Sequence, residues 1–174
     1  GSLKELESNV FSNCTGLKSI TLPAGLESIG NYAFSGCTSL TSASLPSGLA
    51  EIGSYAFRNC TNLESVTIPS SVTSIGGSAF AGGVKSVVFG AGTTVIPDNA
   101  CSNADKVTSI TVPSGVTGIG GSAFSNCTSL VSVSLPSGLK TIGNSAFSGC
   151  SVLENITMPD SLESIGSSAF SNCK

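Results

Sequence analysis

Seven cysteines are the residues in this 174-residue chain with the widest chemical range, since a thiol can be a nucleophile, a metal ligand or half of a disulfide. Zinc sites want clustered C-x2-C pairs and usually histidine, yet the nearest cysteines lie 23 positions apart and the sequence has no His. Missing histidine also removes the commonest general base. Glu27, Glu51, Glu64, Asp98, Asp105, Glu154, Asp160 and Glu163 fall at unrelated positions, mostly on expected turns, so no carboxylate dyad is forced onto one face. No phosphate-cradling glycine loop or nucleophile elbow is present. The chain therefore reads as a non-enzyme without cofactor or metal, whose acids are solvated surface charge.

Composition narrows the partners. Charged residues are 10% of the chain, and the net charge of -3 comes from seven Lys/Arg and ten Asp/Glu spread singly. No basic block exists to neutralise a row of phosphates, which argues against nucleic acid. No apolar run approaches the ~20 residues needed to cross a bilayer, so membrane insertion is not expected. The start, GSLKELESN, has no signal-peptide pattern, and Gly1-Ser2 reads as a cloning remnant.

The elements that must position these residues come from a repeat. Phe11, Phe34, Phe57, Phe80, Phe124, Phe147 and Phe170 recur at steps of 23, with one step of 44 that holds a further unit. The expected organisation is a single domain over 1–174, with a partial repeat at 3–16. Seven units follow at 17–39, 40–62, 63–83, 84–106, 107–129, 130–152 and 153–174. Only 63–83 is short, by two residues.

Unit 17–39 serves as the type. Leu17, Ile20 and Leu22 give L-x-x-I-x-L, a short strand with one side buried, which Pro23 ends because it lacks an N–H. Ala24-Gly25 reads as a turn, and a second short extended piece carries Leu26 and Ile29 inward. Ala33, Phe34 and Cys37 then share one face of a one- or two-turn helix. Position 31, with Asn31, Ser54, Asp98, Asn144 and Ser167, reads as its N-cap. Position 36 holds only Gly or Asn, from Asn13 to Asn172, and reads as a left-handed C-cap. Cys14, Cys37, Cys60, Cys127, Cys150 and Cys173 share position 37, while Cys101 takes the Phe position. All seven read as reduced thiols, the six at position 37 as buried ones acting as small hydrophobes.

No single unit can enclose its own apolar side chains, so the units must stack. Parallel strands stack at ~4.8 Å and helices at ~10 Å, which predicts a coil bent with its sheet inside. The expected fold class is an α/β repeat solenoid: a right-handed leucine-rich-repeat coil with a parallel sheet on the inner face and short helices on the outer face.

The motifs L-x-S-I-x-L-P, S-G-L-x-S-I-G and A-F-S-x-C within one 23-residue unit resemble the BspA-like (Treponema-type) leucine-rich repeats, across the whole chain after Ser2. That resemblance implies a bacterial or protozoan surface or secreted protein engaged in adhesion, with an extracellular protein or glycan as partner. It carries over no catalytic or ligand residue.

The candidate binding face is the outward side of the first strand. One position holds Ser19, Ser42, Ser65, Ser86, Ser109, Ser132 and Asn155; the other holds Thr21, Ser44, Thr67, Thr111, Ser134 and Thr157, interrupted by Val88. Such a hydroxyl lattice suits glycan or protein contact, and an ice-binding array or a purely structural scaffold is the alternative. Hydroxyls also suit any exposed strand.

The sequons at Asn13, Asn59, Asn126 and Asn155 match N-x-S/T, and the first three coincide with the helix-ending position. Unit 84–106 departs most, with Gly90 for Pro, Pro97 for Gly, Val88 for Thr and Cys101 for Phe. Phe89 is expected to refill the space left by the missing ring, which would otherwise cost about 3–5 kcal/mol. Compensated drift is the plain reading, and a local bend or ligand notch the sharper one. Both ends fall within a unit without a polar cap, which predicts a piece of a longer protein.

Overall fold

The computed structural model describes residues 3–174. In chain order its strands are β1 (Glu5–Leu6), β2 (Ser19–Thr21), β3 (Ser28–Ile29), β4 (Ser42–Ser44), β5 (Glu51–Ile52), β6 (Ser65–Ile68), β7 (Ser74–Ile75), β8 (Ser86–Phe89), β9 (Val95–Ile96), β10 (Ser109–Thr111), β11 (Gly118–Ile119), β12 (Ser132–Ser134), β13 (Thr141–Ile142) and β14 (Ser164–Ile165). Each coil between residues 17 and 152 contributes one strand to each of two parallel faces. The first runs β2-β4-β6-β8 and resumes as β10-β12; the second runs β1-β3-β5-β7 and resumes as β9-β11-β13-β14. Register advances one unit per coil, as in Ser19↔Ser42 and Glu5↔Ser28. Across the shortened unit it advances by 21, pairing Ser65 with Ser86, so the deletion is absorbed without a slip in strand pairing.

The core is one column of repeated side chains. In coil 40–62 it takes Leu40, Ala43, Leu49, Ile52, Ala56, Phe57 and Cys60, all buried. The rings of Phe11, Phe34, Phe57 and Phe80 stack face to face at 5.1–5.6 Å, and those of Phe124, Phe147 and Phe170 at 5.1–5.2 Å. Each buried Phe contributes roughly 1.5–3 kcal/mol relative to an exposed one.

The expected outer helices are absent: the described residues contain strands and turns only. The reason lies in the backbone of positions 32 and 36. Residues at position 36 have positive φ as expected (Asn13 58°, Asn59 58°, Asn126 57°, Gly36 75°), but so do residues at position 32, including Tyr32 at 57° and Ser122 at 54°. Two left-handed residues leave only three between them, too few to nucleate a helix. The segment is instead a run of overlapping turns. Ala33, Ser35 and Cys37 donate their N–H groups to Gly30, Tyr32 and Phe34 within the coil, while Tyr32, Phe34 and Gly36 donate to Ser54, Ala56 and Arg58 of the next. Every amide from 32 to 37 is thereby satisfied. This third side of the solenoid is hydrogen-bonded from coil to coil like a sheet, so the bend expected from ~10 Å helix spacing loses its cause.

Position 31 is not a helix N-cap either. The Asn31 Oδ1 accepts the Ser54 N–H at 2.8 Å, Asp98 Oδ1 accepts the Gly121 N–H at 2.6 Å, and Asn144 Oδ1 accepts the Ser167 N–H at 2.8 Å. These side chains cap the following coil. Between the second sheet and the third side the coils pass closest: a Cβ at Gly53 or Gly143 would fall 2.6 Å from backbone of the preceding coil.

The fourth coil interrupts this order. No strand pairing joins β7 to β9 or β8 to β10. At position 30 Pro97 replaces the glycine, bringing both a ring and a missing N–H to the point of closest approach. On the third side, backbone bonds give way to side-chain ones: Ser78 N–H to Ser102 Oγ at 2.8 Å, Asn103 Nδ2 to Ser78 Oγ at 2.9 Å, and Gly82 N–H to Asp105 Oδ1 at 3.1 Å. Phe89 is buried and meets the Phe124 ring edge-on at 6.3 Å, where other coils stack one ring on the next.

Candidate functional site

The hydroxyl lattice is assembled by parallel pairing in strict register. Ser19, Ser42, Ser65 and Ser86 lie in one row, as do Ser109, Ser132 and Asn155; Thr21 pairs Ser44, and Thr111 pairs Ser134. Rows repeat at ~4.8 Å, the hydrogen-bonding distance between strands. Alternation does the exposing: β4, β10 and β12 read exposed-buried-exposed, with Ala43, Ile110 and Val133 turned into the core. Of the candidate residues Ser86 alone is half-buried, and the rest are exposed, Thr157 included. Two shallow troughs run over this face. One lies along Ser19, Ser42 and Ser65, the other along Ser109, Ser132 and Asn155. Between them the lattice is broken by Val88, 48% exposed, which lines an apolar notch with Phe89, Ala91 and Pro113.

Charge is peripheral. Lys4–Glu27, Lys85–Glu64 and Lys140–Glu163 are exposed ion pairs, each joining one coil to the next. Exposed pairs of this kind are worth about 0–1 kcal/mol. Asp98 and Asp105 are occupied with backbone N–H groups. Among the described residues no three His, Cys, Asp or Glu side chains group to hold a metal ion. No helix there is long and apolar enough to cross a membrane.

The cysteines do more than fill space. The Sγ–H of Cys37 donates to the Phe11 carbonyl at 3.1 Å, and Cys60, Cys127, Cys150 and Cys173 repeat the bond at 3.2 Å to residues 34, 101, 124 and 147. Each thiol therefore ties a coil to its predecessor. Burial pushes the Cys60 and Cys150 thiols up to about 12 and also raises Cys101 and Cys127, which removes their nucleophilicity at neutral pH. Cys14 and Cys173, in the end coils, are only half-buried, short of the burial expected for all six.

One feature had no signal in the repeat logic. Tyr32 and Tyr55 occupy the unforeseen left-handed position 32, with rings stacked at 4.9 Å and 17°, and the Arg58 guanidinium lies 5.5 Å from the Tyr55 centroid. The column mixes Tyr, Ser and Asn, so its backbone demand was not legible.

No curated protein matches the chain. A leucine-rich repeat protein from Eubacterium ventriosum is 31% identical with a TM-score of 0.76, over 90% of this chain and 43% of its own. One from Bacteroides ovatus is 27% identical with a TM-score of 0.72, over 96% and 50%. The pneumococcal vaccine antigen PcpA is 30% identical with a TM-score of 0.56, over 92% and 44%. The chain thus spans about half the length of these bacterial structures. A model of the BspA type leucine-rich repeat region, in six copies, matches residues 1–103 and 94–174. By that match, and by the solenoid that carries it, the chain belongs to the BspA type leucine-rich repeat family.

Proposed function

We propose that this chain is a non-catalytic recognition module of a bacterial cell surface, and that it grips an extracellular protein or glycan through the hydroxyl face of the first sheet. Family membership makes it a repeat scaffold of the kind used for protein interaction or surface display. The observation that carries the reading is the lattice itself: exposed, uncharged hydroxyls held in register over successive coils. Hydroxyls donate and accept, so a ligand with mixed polar groups can replace the water they lose. Fixed strands impose little ordering cost on binding. The troughs on either side of Val88 give two equivalent footholds, and the apolar notch between them favours a ligand with at least one hydrophobic group.

The test begins with a screen of the chain against immobilised matrix proteins and a glycan array. A variant with Ser65, Thr67, Thr111 and Ser132 all replaced by Lys is then compared with a third-side control, Ser125→Lys with Ser148→Lys. Loss of the hit in the first alone is the expected result. Retention in the first, or loss only in the control, would overturn the assignment.

A further inference from the structure

The tyrosine pair on the third side answers to nothing that the fold requires. In the other coils position 32 is filled by Asn9, Ser78, Asn99, Ser122, Ser145 and Ser168, short polar residues, and all of them share the same positive φ. A ring at this position has no core to join: Tyr32 is 38% exposed, and neither tyrosine belongs to the buried cluster. A bulky side chain with positive φ is uncommon enough to ask what it is for. The two rings form a stacked ledge flanked by the short side chains of Asn9 and Ser78, with Arg58 over one ring. Asn31 and Ser54, which immediately precede the two tyrosines in the chain, line a polar groove together with Glu5, Ser28, Glu51 and Ser74. The Asn31 Oδ1 is occupied by the Ser54 N–H, which leaves its Nδ2 to donate outward.

We infer that Tyr32 and Tyr55, together with the groove that Asn31 and Ser54 line, form a second ligand site, and that its ligand is a neutral glycan. A pyranose has an apolar C–H face and a rim of hydroxyls. Aromatic rings suit the face, and carboxylates, hydroxyls and an amide suit the rim. The two groove carboxylates, Glu5 and Glu51, outnumber the single Arg58 on the ledge and have no lysine or arginine beside them in the groove lining, so the site disfavours anionic polymers and selects neutral sugars over uronate-rich ones. Charge also disfavours an apolar peptide, whose binding would bury Glu5 and Glu51 without partners. The site lies on a different side from the hydroxyl lattice and does not depend on it.

The chain supplies its own reporter, because it has two tyrosines and no tryptophan. Tyrosine emission is therefore read from this ledge alone. Titration with neutral gluco-, manno- and galacto-hexaoses should give a saturable emission change with at least one of them, and protection from iodide quenching. A uronate oligomer of equal length should give neither. Calorimetry on the Tyr32→Ser, Tyr55→Ser double variant should show affinity for that hexaose lowered about tenfold or more. Its melting temperature should not fall, since Ser78, Ser122, Ser145 and Ser168 already serve in the same backbone position. The sheet-face lysine variant should bind the hexaose as the parent does. The inference is overturned if no neutral hexaose perturbs the emission, if the uronate oligomer binds more tightly, or if the double variant keeps full affinity. If that variant does not fold, the titration of the parent chain decides the matter.

Discussion

Replacing Pro97 by Gly should repair the break in the second sheet between β7 and β9. In the neighbouring coils the amide at position 30 bonds back across the junction: Gly53 to Ile29 at 2.7 Å, Gly76 to Ile52 at 2.8 Å, Gly120 to Ile96 at 2.9 Å. Pro97 has no N–H to offer Ile75. The companion bonds, Thr73 and Ser74 N–H to the Ala50 carbonyl, have no counterparts at Thr94 and Val95. Three backbone bonds at about 1 kcal/mol each make this junction weaker by about 3 kcal/mol. Nearest-neighbour coupling sets the cooperativity of a repeat protein, so the halves on either side of this junction should unfold in separate steps. Both tyrosines lie before it, so tyrosine emission follows the first half and far-ultraviolet circular dichroism follows the whole. In urea the two transitions should part for the parent chain. Pro97→Gly should bring them together and, with all three bonds regained, add about 2–2.6 kcal/mol, the roughly 3 kcal/mol of bonds less the roughly 0.4–1 kcal/mol by which proline restrains the unfolded chain. Superimposed transitions in the parent chain, or a lower midpoint in the variant, would refute the reasoning.

Three further outcomes are expected. Thr93 stands where the other coils carry Leu or Val, and its Oγ1 is buried without a partner, so Thr93→Val should stabilise by about 1–2 kcal/mol in denaturant titration, and a loss would reveal a partner for that hydroxyl. A Cβ at Gly143 would press on the Gly121 N–H at 2.6 Å whereas one at Gly77 meets nothing within 4 Å, so Gly143→Ala should cost about 1–3 kcal/mol and Gly77→Ala should be neutral or mildly stabilising; equal melting temperatures would dismiss the close approach of coils. Cys60 and Cys150 are raised from 9.0 to about 12 on folding, so their contribution is fully present below pH 9 and is lost as pH climbs toward 12; urea midpoints should hold steady to about pH 8 and then fall, less steeply in Cys60→Ala, Cys150→Ala than in the parent.

What the sequence made legible was whatever a single column of the repeat states by itself. Position 36 holds only Gly and Asn, and their shared tolerance of positive φ identifies the conformation without coordinates. Position 32 needs the same φ but holds Tyr and Ser among its residues, and neither type announces it. The spacing of Ala33, Phe34 and Cys37 fits a helical face and equally fits overlapping turns, because both bring i and i+4 to one side. Which of them forms is decided by where the amides at 32, 34 and 36 find acceptors, and those acceptors are in the next coil. Sequence periodicity holds no information about partners 22 residues away. Phe89 is legible as an oversized ring in a column of Leu, Ile, Val and Met, within the one unit whose Phe position holds Cys101, and the structure sets it edge-on against Phe124. The rupture at Pro97 was visible as a substitution but not as a gap, because the crowding of its glycine neighbours exists only once coils are stacked.

The fourth coil also limits how this protein can change its length. Where successive units are alike, as at 107–129 and 130–152, unequal recombination can add or remove one in a single event and leave two complementary surfaces in contact. Unit 84–106 has two unlike surfaces. Toward its predecessor it presents Ser102, Asn103 and Asp105, cut to the side chain of Ser78 and the amides of Ser78 and Gly82. Toward its successors it presents Phe89, seated on the ring of Phe124. Deleting it would set Phe80 against a coil shaped to receive a cysteine and a displaced ring, and duplicating it would leave the second copy without the serine that the first one found. Lineages descended from this gene should therefore vary in repeat number on either side of this unit and keep it in single copy.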